Sequence, residues 1–185
     1  DVVAKMRGIA QTRKAGHAGT LEPMATGVLP IFFGNATKAC DIMPDDTKCY
    51  IADFQLGIQT DTYDIWGQVT FEQQAAVTAA QIEDKLNLFR GKISQIPPMY
   101  SAIKIGGKKL YELARKGQEV ERKPRNITIF ELAVEDGSGS DWDLRVRCSK
   151  GTYVRTLCHD IGQSLGCGGC MSSLRRTRAG RFTLE

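Results

Sequence analysis

The run from Gly16 to Pro30 (Gly-His-Ala-Gly-Thr-Leu-Glu-Pro-Met-Ala-Thr-Gly-Val-Leu-Pro) sets three glycines and two prolines in fifteen residues around one imidazole, His17, and one carboxylate, Glu22. Such punctuation fixes an irregular backbone, and a loop so constrained around an acid is a candidate reaction site. A second candidate is Ser149-Lys-Gly-Thr-Tyr-Val-Arg155, where strand-like residues give way to a helical pattern and Arg155 falls in the first turn. A guanidinium within about 4 to 6 Å of a carboxylate orients it and favours its ionised form, although an arginine so placed could equally be ordinary surface. Tyr50 opens a strand-like run just after an acidic turn, where an aromatic could stack on an extruded base or pack on the core. His17 could contact a phosphate or a base, or be a buried histidine satisfied by backbone. Cys167-Gly-Gly-Cys170 has CxxC spacing with Cys158 and His159 nearby, but a zinc site needs four ligands and usually a second knuckle, which the sequence lacks.

These groups need a scaffold, and its elements show in the spacing of apolar residues. Tyr50 to Gly57 alternates, with Ala52, Phe54 and Leu56 on one face and Asp53 and Gln55 on the other, the period of a half-buried strand. Trp142, Leu144, Val146 and Cys148 alternate likewise against Asp141, Asp143, Arg145 and Arg147, and the β-branched residues of Ile127 to Val134 predict a third strand. Thr78 followed by Gln81 is a capping-box pattern, and Ala79, Ile82, Leu86 and Phe89 then mark an amphipathic helix that Gly91 follows. A second helix is predicted over Lys109 to Lys116, stopped by Gly117. A third runs from Thr152 to Leu165, with Val154, Leu157, Ile161 and Leu165 on one stripe and Gly166 after it. Gly137-Ser-Gly-Ser140 reads as a strand connection. Strands and helices without a βαβ rhythm predict an α+β fold.

A chain of 185 residues supports one well-buried core, so a single domain over residues 1–185 is expected. Its 42% hydrophobic and 25% charged residues exclude disordered and fibrous classes. The longest apolar runs are about six residues, far short of the roughly 18 needed to cross a bilayer, so no membrane partner is expected. A net charge of +4 says little, but its distribution says more. Residues 101–125 carry eight Lys/Arg against three Glu, a net of +5, and residues 41–75 carry one Lys against seven acids, a net of −6. Four arginines fall between Arg175 and Arg181 with no acid among them. Segregated positive charge suits a nucleic acid laid across one face, the alternative being ordinary solvated surface. Six cysteines within strand-like or helix-like patterns fit a reducing cytoplasm better than a secreted disulfide scaffold.

The Gly16 to Pro30 run, with Asn35-Ala-Thr-Lys38 close behind, resembles the signature of the TruB family of tRNA pseudouridine synthases. Further blocks agree in order: Leu56-Gly57, Thr60-Asp-Thr-Tyr-Asp64 and Gly67; Ile96-Pro-Pro-Met-Tyr-Ser-Ala-Ile-Lys104; Lys109-Leu-Tyr-Glu-Leu-Ala-Arg115; Cys148-Ser-Lys-Gly-Thr-Tyr-Val-Arg155; Leu174-Arg-Arg-Thr-Arg178. The resemblance implies a pseudouridine synthase fold, a mixed and mostly antiparallel sheet with flanking helices and a central RNA-binding cleft. It implies isomerisation of a uridine in the T loop of tRNA, with no metal or organic cofactor; a cytoplasmic monomer is expected. The base must leave its stack first. Position by position, Glu22 stands where the family has its catalytic aspartate, Arg155 where it has the arginine paired with that acid, and Tyr50 where it has the tyrosine stacked on the target base. His17 matches the histidine that helps hold the flipped-out loop, Asp64 and Lys38 match polar residues of the site, and Tyr153 and Leu174 match further pocket residues. From the basic segments, Lys104, Lys108, Arg175 and Arg176 are expected to contact RNA.

Glu22 departs from that pattern by one methylene, about 1.5 Å of bond. Misplacement of roughly 1 Å can cost on the order of 100-fold in rate, so normal folding and RNA binding with weakened turnover are expected. The family's first strand with its Asp-Lys-Pro turn is expected before Asp1, and the PUA RNA-binding domain of bacterial members after Glu185, so the sequence reads as a trimmed catalytic domain. Two rival readings stand beside this one: a catalytically silent tRNA-binding domain or tRNA folding helper, and a zinc-dependent base-modifying enzyme using Cys167 and Cys170.

Overall fold

The computed structural model describes residues 2–42 and 47–184; the acidic turn expected before Tyr50 lies outside the described residues. The chain opens with helix α1 (Val2–Ile9) and the short strands β1 (Ala15–His17), β2 (Thr26–Gly27) and β3 (Ile31–Phe33), followed by a 3-10 segment over Gly34–Asp41. Then come the long strand β4 (Lys48–Leu56) and the hairpin β5 (Ile58–Thr60) and β6 (Val69–Glu72). Helix α2 (Ala79–Leu86) and strand β7 (Gly91–Gln95) lead to a second hairpin, β8 (Lys104–Ile105) and β9 (Lys108–Lys109), and to the short helix α3 (Leu110–Ala114). Strands β10 (Arg125–Ser138) and β11 (Asp141–Cys148), helix α4 (Val154–Ser164) and strands β12 (Gly169–Ala179) and β13 (Phe182–Thr183) complete the described chain.

The alternating segments become neighbours in one sheet of order β13-β12-β4-β11-β10-β7, with β2 added alongside β12. Every pairing in it is antiparallel except β2 with β12, so the fold is α+β with a mixed, mostly antiparallel sheet, as expected. Ala52, Phe54 and Leu56 of β4 and Trp142, Leu144, Val146 and Cys148 of β11 are buried on one face. Val154, Leu157 and Ile161 of α4 and Ile82 and Leu86 of α2 join them in a single core. At roughly 1.5 to 3 kcal/mol for each fully buried aliphatic side chain, that cluster fixes the sheet beneath the site.

Among the boundaries that shift, three have local reasons. α2 has the predicted capping box, Thr78 with Gln81, but tightens after Leu86 into a 3-10 turn over Asn87–Phe89. α3 is shorter than predicted because backbone turns close it, Lys116 N–H to Leu113 O at 2.9 Å and Gly117 N–H to Ala114 O at 2.9 Å. Gly137 and Ser138 belong to β10, which leaves Gly139 and Ser140 to make the connection to β11. The sequence patterns missed β12 altogether. Its register shifts at Met171/Ser173 and again at Arg176/Arg178, so the period-2 signal is broken twice within eleven residues.

Candidate active site

Glu22 sits in a loop stitched to the edge of β12. Thr26 and Gly27 pair in parallel with Arg175 and Arg176, and Val28 N–H donates to the Arg176 carbonyl at 2.9 Å. Gly27 has φ +102°, and a Cβ there would lie 2.1 Å from the Arg176 carbonyl oxygen, so glycine alone allows this approach. From below, the Arg176 guanidinium donates through Nε to Val28 O (2.8 Å), through Nη1 to Thr20 O (3.2 Å) and through Nη2 to Gly19 O (3.4 Å). It also makes a side-chain hydrogen bond with Tyr50. Arg176 was expected to contact RNA, but its side chain is fully buried. Five donors in a planar fork suit it to gather carbonyls that would otherwise be orphaned. Its neighbour Arg175, on the opposite face of the strand, is the exposed one.

Arg155 is the second residue of α4, and its side chain is 6% exposed. The start of that helix is fixed by the buried Gln95 amide, which accepts from Tyr153 N–H at 2.9 Å and donates to Tyr153 O at 3.1 Å. The guanidinium bridges two carboxylates, with Nη2 3.2 Å from Glu22 Oε1 and Nη1 3.4 Å from Asp64 Oδ2. It further donates to Thr62 O at 3.2 Å and to the Tyr100 carbonyl. Asp64 is held in turn by Thr62 Oγ1 (2.8 Å) and Trp66 N–H (3.1 Å), both to Oδ1, and its backbone bridges to Met171 of β12. Loop, helix and sheet therefore converge on one charge network.

The network opens into a cavity of about 860 Å³ whose lining includes Glu22, Tyr50, Asp64, Tyr153, Arg155 and Leu174. Burial raises the Glu22 carboxyl above its ordinary 4.5; Arg155 opposes that rise, and the nearby Asp64 carboxylate adds to it. The expected pull of Arg155 on the acid is thus present but outweighed by desolvation. Burial also pushes the Tyr50 phenol up to about 12, which keeps it neutral at physiological pH. The arrangement can hold a carboxylate against a guanidinium beside a neutral aromatic ring, in a space large enough for a nucleobase and its sugar.

Six sequence-selected residues (Glu22, Arg155, Tyr50, Asp64, Tyr153 and Leu174) line this cavity. His17 in β1, Lys38 in the 3-10 segment, Lys104 in β8, Lys108 in β9 and Arg175 in β12 are not among its lining residues. Lys38, Lys104, Lys108 and Arg175 are exposed, while His17 is half-buried, its Nδ1 without a partner among the described residues. Residue type and spacing do not single out Gln95 and Tyr100, which act through an amide and a carbonyl, or Thr62, which acts through its carbonyl and a generic hydroxyl; the clue to Trp66 is a large aromatic inside a polar turn. Among the described residues no group of three or more His, Cys, Asp or Glu could hold a metal ion. Burial pushes the Cys170 thiol up to about 11 and raises that of Cys167. No helix among the described residues is long and apolar enough to cross a membrane.

The whole chain superposes on 46% of a chain from a Cbf5–Nop10–Gar1 complex, with TM-score 0.76 and 33% identity. It also superposes on 44% of a chain from an H/ACA ribonucleoprotein bound to a substrate RNA containing 2′-deoxyuridine, with TM-score 0.72 and 29% identity. This fold is that of the pseudouridine synthase class. The model for the TruB family pseudouridylate synthase N-terminal domain matches residues 7–154, and that for the tRNA pseudouridylate synthase B C-terminal domain matches residues 155–185. The chain belongs to the TruB family. It is 52% identical over 193 residues to tRNA pseudouridine synthase B of Syntrophomonas wolfei subsp. wolfei and 48% identical over 184 residues to that of Clostridium kluyveri. All of this chain is covered in both matches, and it spans 64% of each relative's length.

Proposed function

We propose that this chain isomerises a uridine of RNA to pseudouridine, with the T-arm stem-loop of tRNA as its substrate. The observation that carries the reading is Glu22 ion-paired at 3.2 Å to a buried Arg155 inside a cavity that Tyr50 also lines. In the reaction the C1′–N1 bond breaks, the uracil turns, and a C1′–C5 bond forms; C5 loses its proton and N1 gains one, so no atom is added or removed. An extruded uridine stacks its base on Tyr50 and presents its sugar to Glu22, while Leu174 and Tyr153 complete an apolar wall. Arg155 orients Glu22 and favours its charged form, and Asp64 keeps the guanidinium from turning away. His17 and Lys38 act on the displaced loop, and Lys104, Lys108 and Arg175, all exposed, neutralise its phosphates.

The site needs no residue from a second protomer, in keeping with a monomer, and six cysteines outside any disulfide suit a reducing cytoplasm. Relatives named tRNA pseudouridine synthase B support tRNA as the substrate. The test is pseudouridine-specific chemical mapping of a T-arm stem-loop incubated with the protein and with its Arg155→Ala variant. Modification at a single T-loop uridine, abolished in the variant, is the expected result. An unmodified stem-loop that is nevertheless bound and refolded would favour the silent RNA-binding reading instead.

A further inference from the structure

The two tryptophans of the chain occupy opposite environments. Trp142 is buried in the sheet core and its Nε1 donates to Gly139 O at 3.0 Å, a structural role that accounts for it. Trp66 is 73% exposed yet lines the same cavity as Glu22 and Arg155. Among the described residues, neither packing nor an indole hydrogen bond explains a side chain of this size at the mouth of a charged cleft.

Its backbone is not loose. Trp66 N–H donates to Asp64 Oδ1 at 3.1 Å, Ile65 N–H to Met171 O at 2.9 Å and Gly67 N–H to Asp64 O at 3.1 Å. The turn is tight as well, since a Cβ on Gly67 would come within 2.3 Å of Thr62 Oγ1. The carboxylate that grips Arg155 through Oδ2 thus presents Trp66 through Oδ1. Aromatic rings therefore stand at two levels of one cavity, Tyr50 buried and Trp66 at the opening. Exposed Arg115 also lines the cavity, its guanidinium 5.4 Å from the Tyr111 ring centroid, and places positive charge beside that opening.

Resting on the function proposed above, we infer that Trp66 is a second base-stacking platform, which takes the nucleobase flanking the uridine that enters the cavity. An indole face binds any base by stacking and dispersion, so this interaction contributes affinity with little sequence preference. Arg115 meets a phosphate of the same stretch of backbone. The platform forms only when a loop is splayed open, because a stacked duplex cannot offer two neighbouring bases to rings at different depths.

The test is equilibrium binding of a T-arm stem-loop to wild-type protein, Trp66→Phe and Trp66→Leu, followed by the same RNA with an abasic site on each side of the target uridine in turn. Trp66→Leu is expected to weaken binding about 5- to 100-fold, with Trp66→Phe restoring most of the affinity. One of the abasic RNAs should bind wild type as weakly as the intact RNA binds Trp66→Leu, with no further weakening when both changes are combined. Tryptophan emission should be quenched on binding, and the quenching should vanish in Trp66→Phe. Tight binding of the stem-loop with equal affinity for Trp66→Leu and wild type would overturn this inference and leave the proposed function intact. Failure of wild type to bind the stem-loop at all would overturn both.

Discussion

The floor and the rim of the cleft are built on opposite principles. On the floor, the two buried guanidiniums each meet several partners: Arg155 touches two carboxylates and two carbonyls, and Arg176 donates to three carbonyls and to Tyr50. The rim, in the sense of the exposed cations, comprises Arg115, which lines the cavity, and Lys104, Lys108 and Arg175, which do not. Burial turns a guanidinium into a device for positioning, because a desolvated donor needs a partner and few geometries supply several at once, although Arg155 Nε meets none among the described residues. Exposure leaves a cation free to follow a flexible polyanion, at the cost of geometric definition. Arg175 and Arg176, adjacent in β12, show that the alternation of a strand is enough to send neighbours of identical chemistry to the two roles.

The largest effect is expected at the centre of the floor. Arg155→Leu leaves the Glu22 and Asp64 carboxylates without their shared counter-charge, so single-turnover pseudouridine formation should fall about 100- to 1,000-fold. Urea melts should show destabilisation by about 3 to 5 kcal/mol, the penalty for breaking a buried charge pair. Arg176→Leu should come next, destabilising the fold by about 3 kcal/mol as buried carbonyls are left without donors. Arg176→Lys should rescue little of this, because an ammonium cannot span Gly19, Thr20 and Val28 together. A variant at Arg176 with unchanged stability and a smaller salt dependence of RNA binding would place it on the rim and break the comparison.

Rim substitutions should act on affinity. Removing Lys104 and Lys108 should reduce the slope of log K against log salt by about 1 for each phosphate that is no longer neutralised, measured by filter binding from low to moderate salt. The smallest effect is one of stability. Because burial raises the folded-state pKa of Glu22 above 4.5, the folded state binds the proton more readily than the unfolded chain does. Ionisation of Glu22 therefore costs stability as pH rises through the interval between those two values. Glu22→Gln should accordingly raise the melting temperature at neutral pH and leave it unchanged well below pH 4.5. Activity should move the other way, rising with pH as Glu22 ionises, over a range shifted above that of an ordinary carboxylate.

Much of this was legible in the sequence because periodicity reports burial directly. β4 and β11 alternate cleanly and form the centre of the sheet, and the stripe on α4 is the surface that packs on it. β12 was illegible because two register shifts interrupt its alternation, and with it went the distinction between Arg175 and Arg176. Within the site, Glu22, Arg155, Tyr50 and Asp64 could be selected by chemistry and by family resemblance, and they share one cavity. The groups that hold them, the Thr62 and Tyr100 carbonyls and the Gln95 amide, contribute through backbone or generic polar atoms. Nothing in residue type or spacing distinguishes such atoms until the chain is folded.

The central claim is that the Glu22 carboxylate, oriented by Arg155, is the group that acts on the nucleotide. Its most direct test is the single-turnover rate of pseudouridine formation on one T-arm stem-loop for wild type, Glu22→Asp and Glu22→Ala, with RNA affinity measured in parallel. The longer arm of glutamate should leave wild type on the order of 100-fold slower than Glu22→Asp, with Glu22→Ala inactive and all three binding RNA alike. A Glu22→Ala variant that still forms pseudouridine at the wild-type rate would contradict the account.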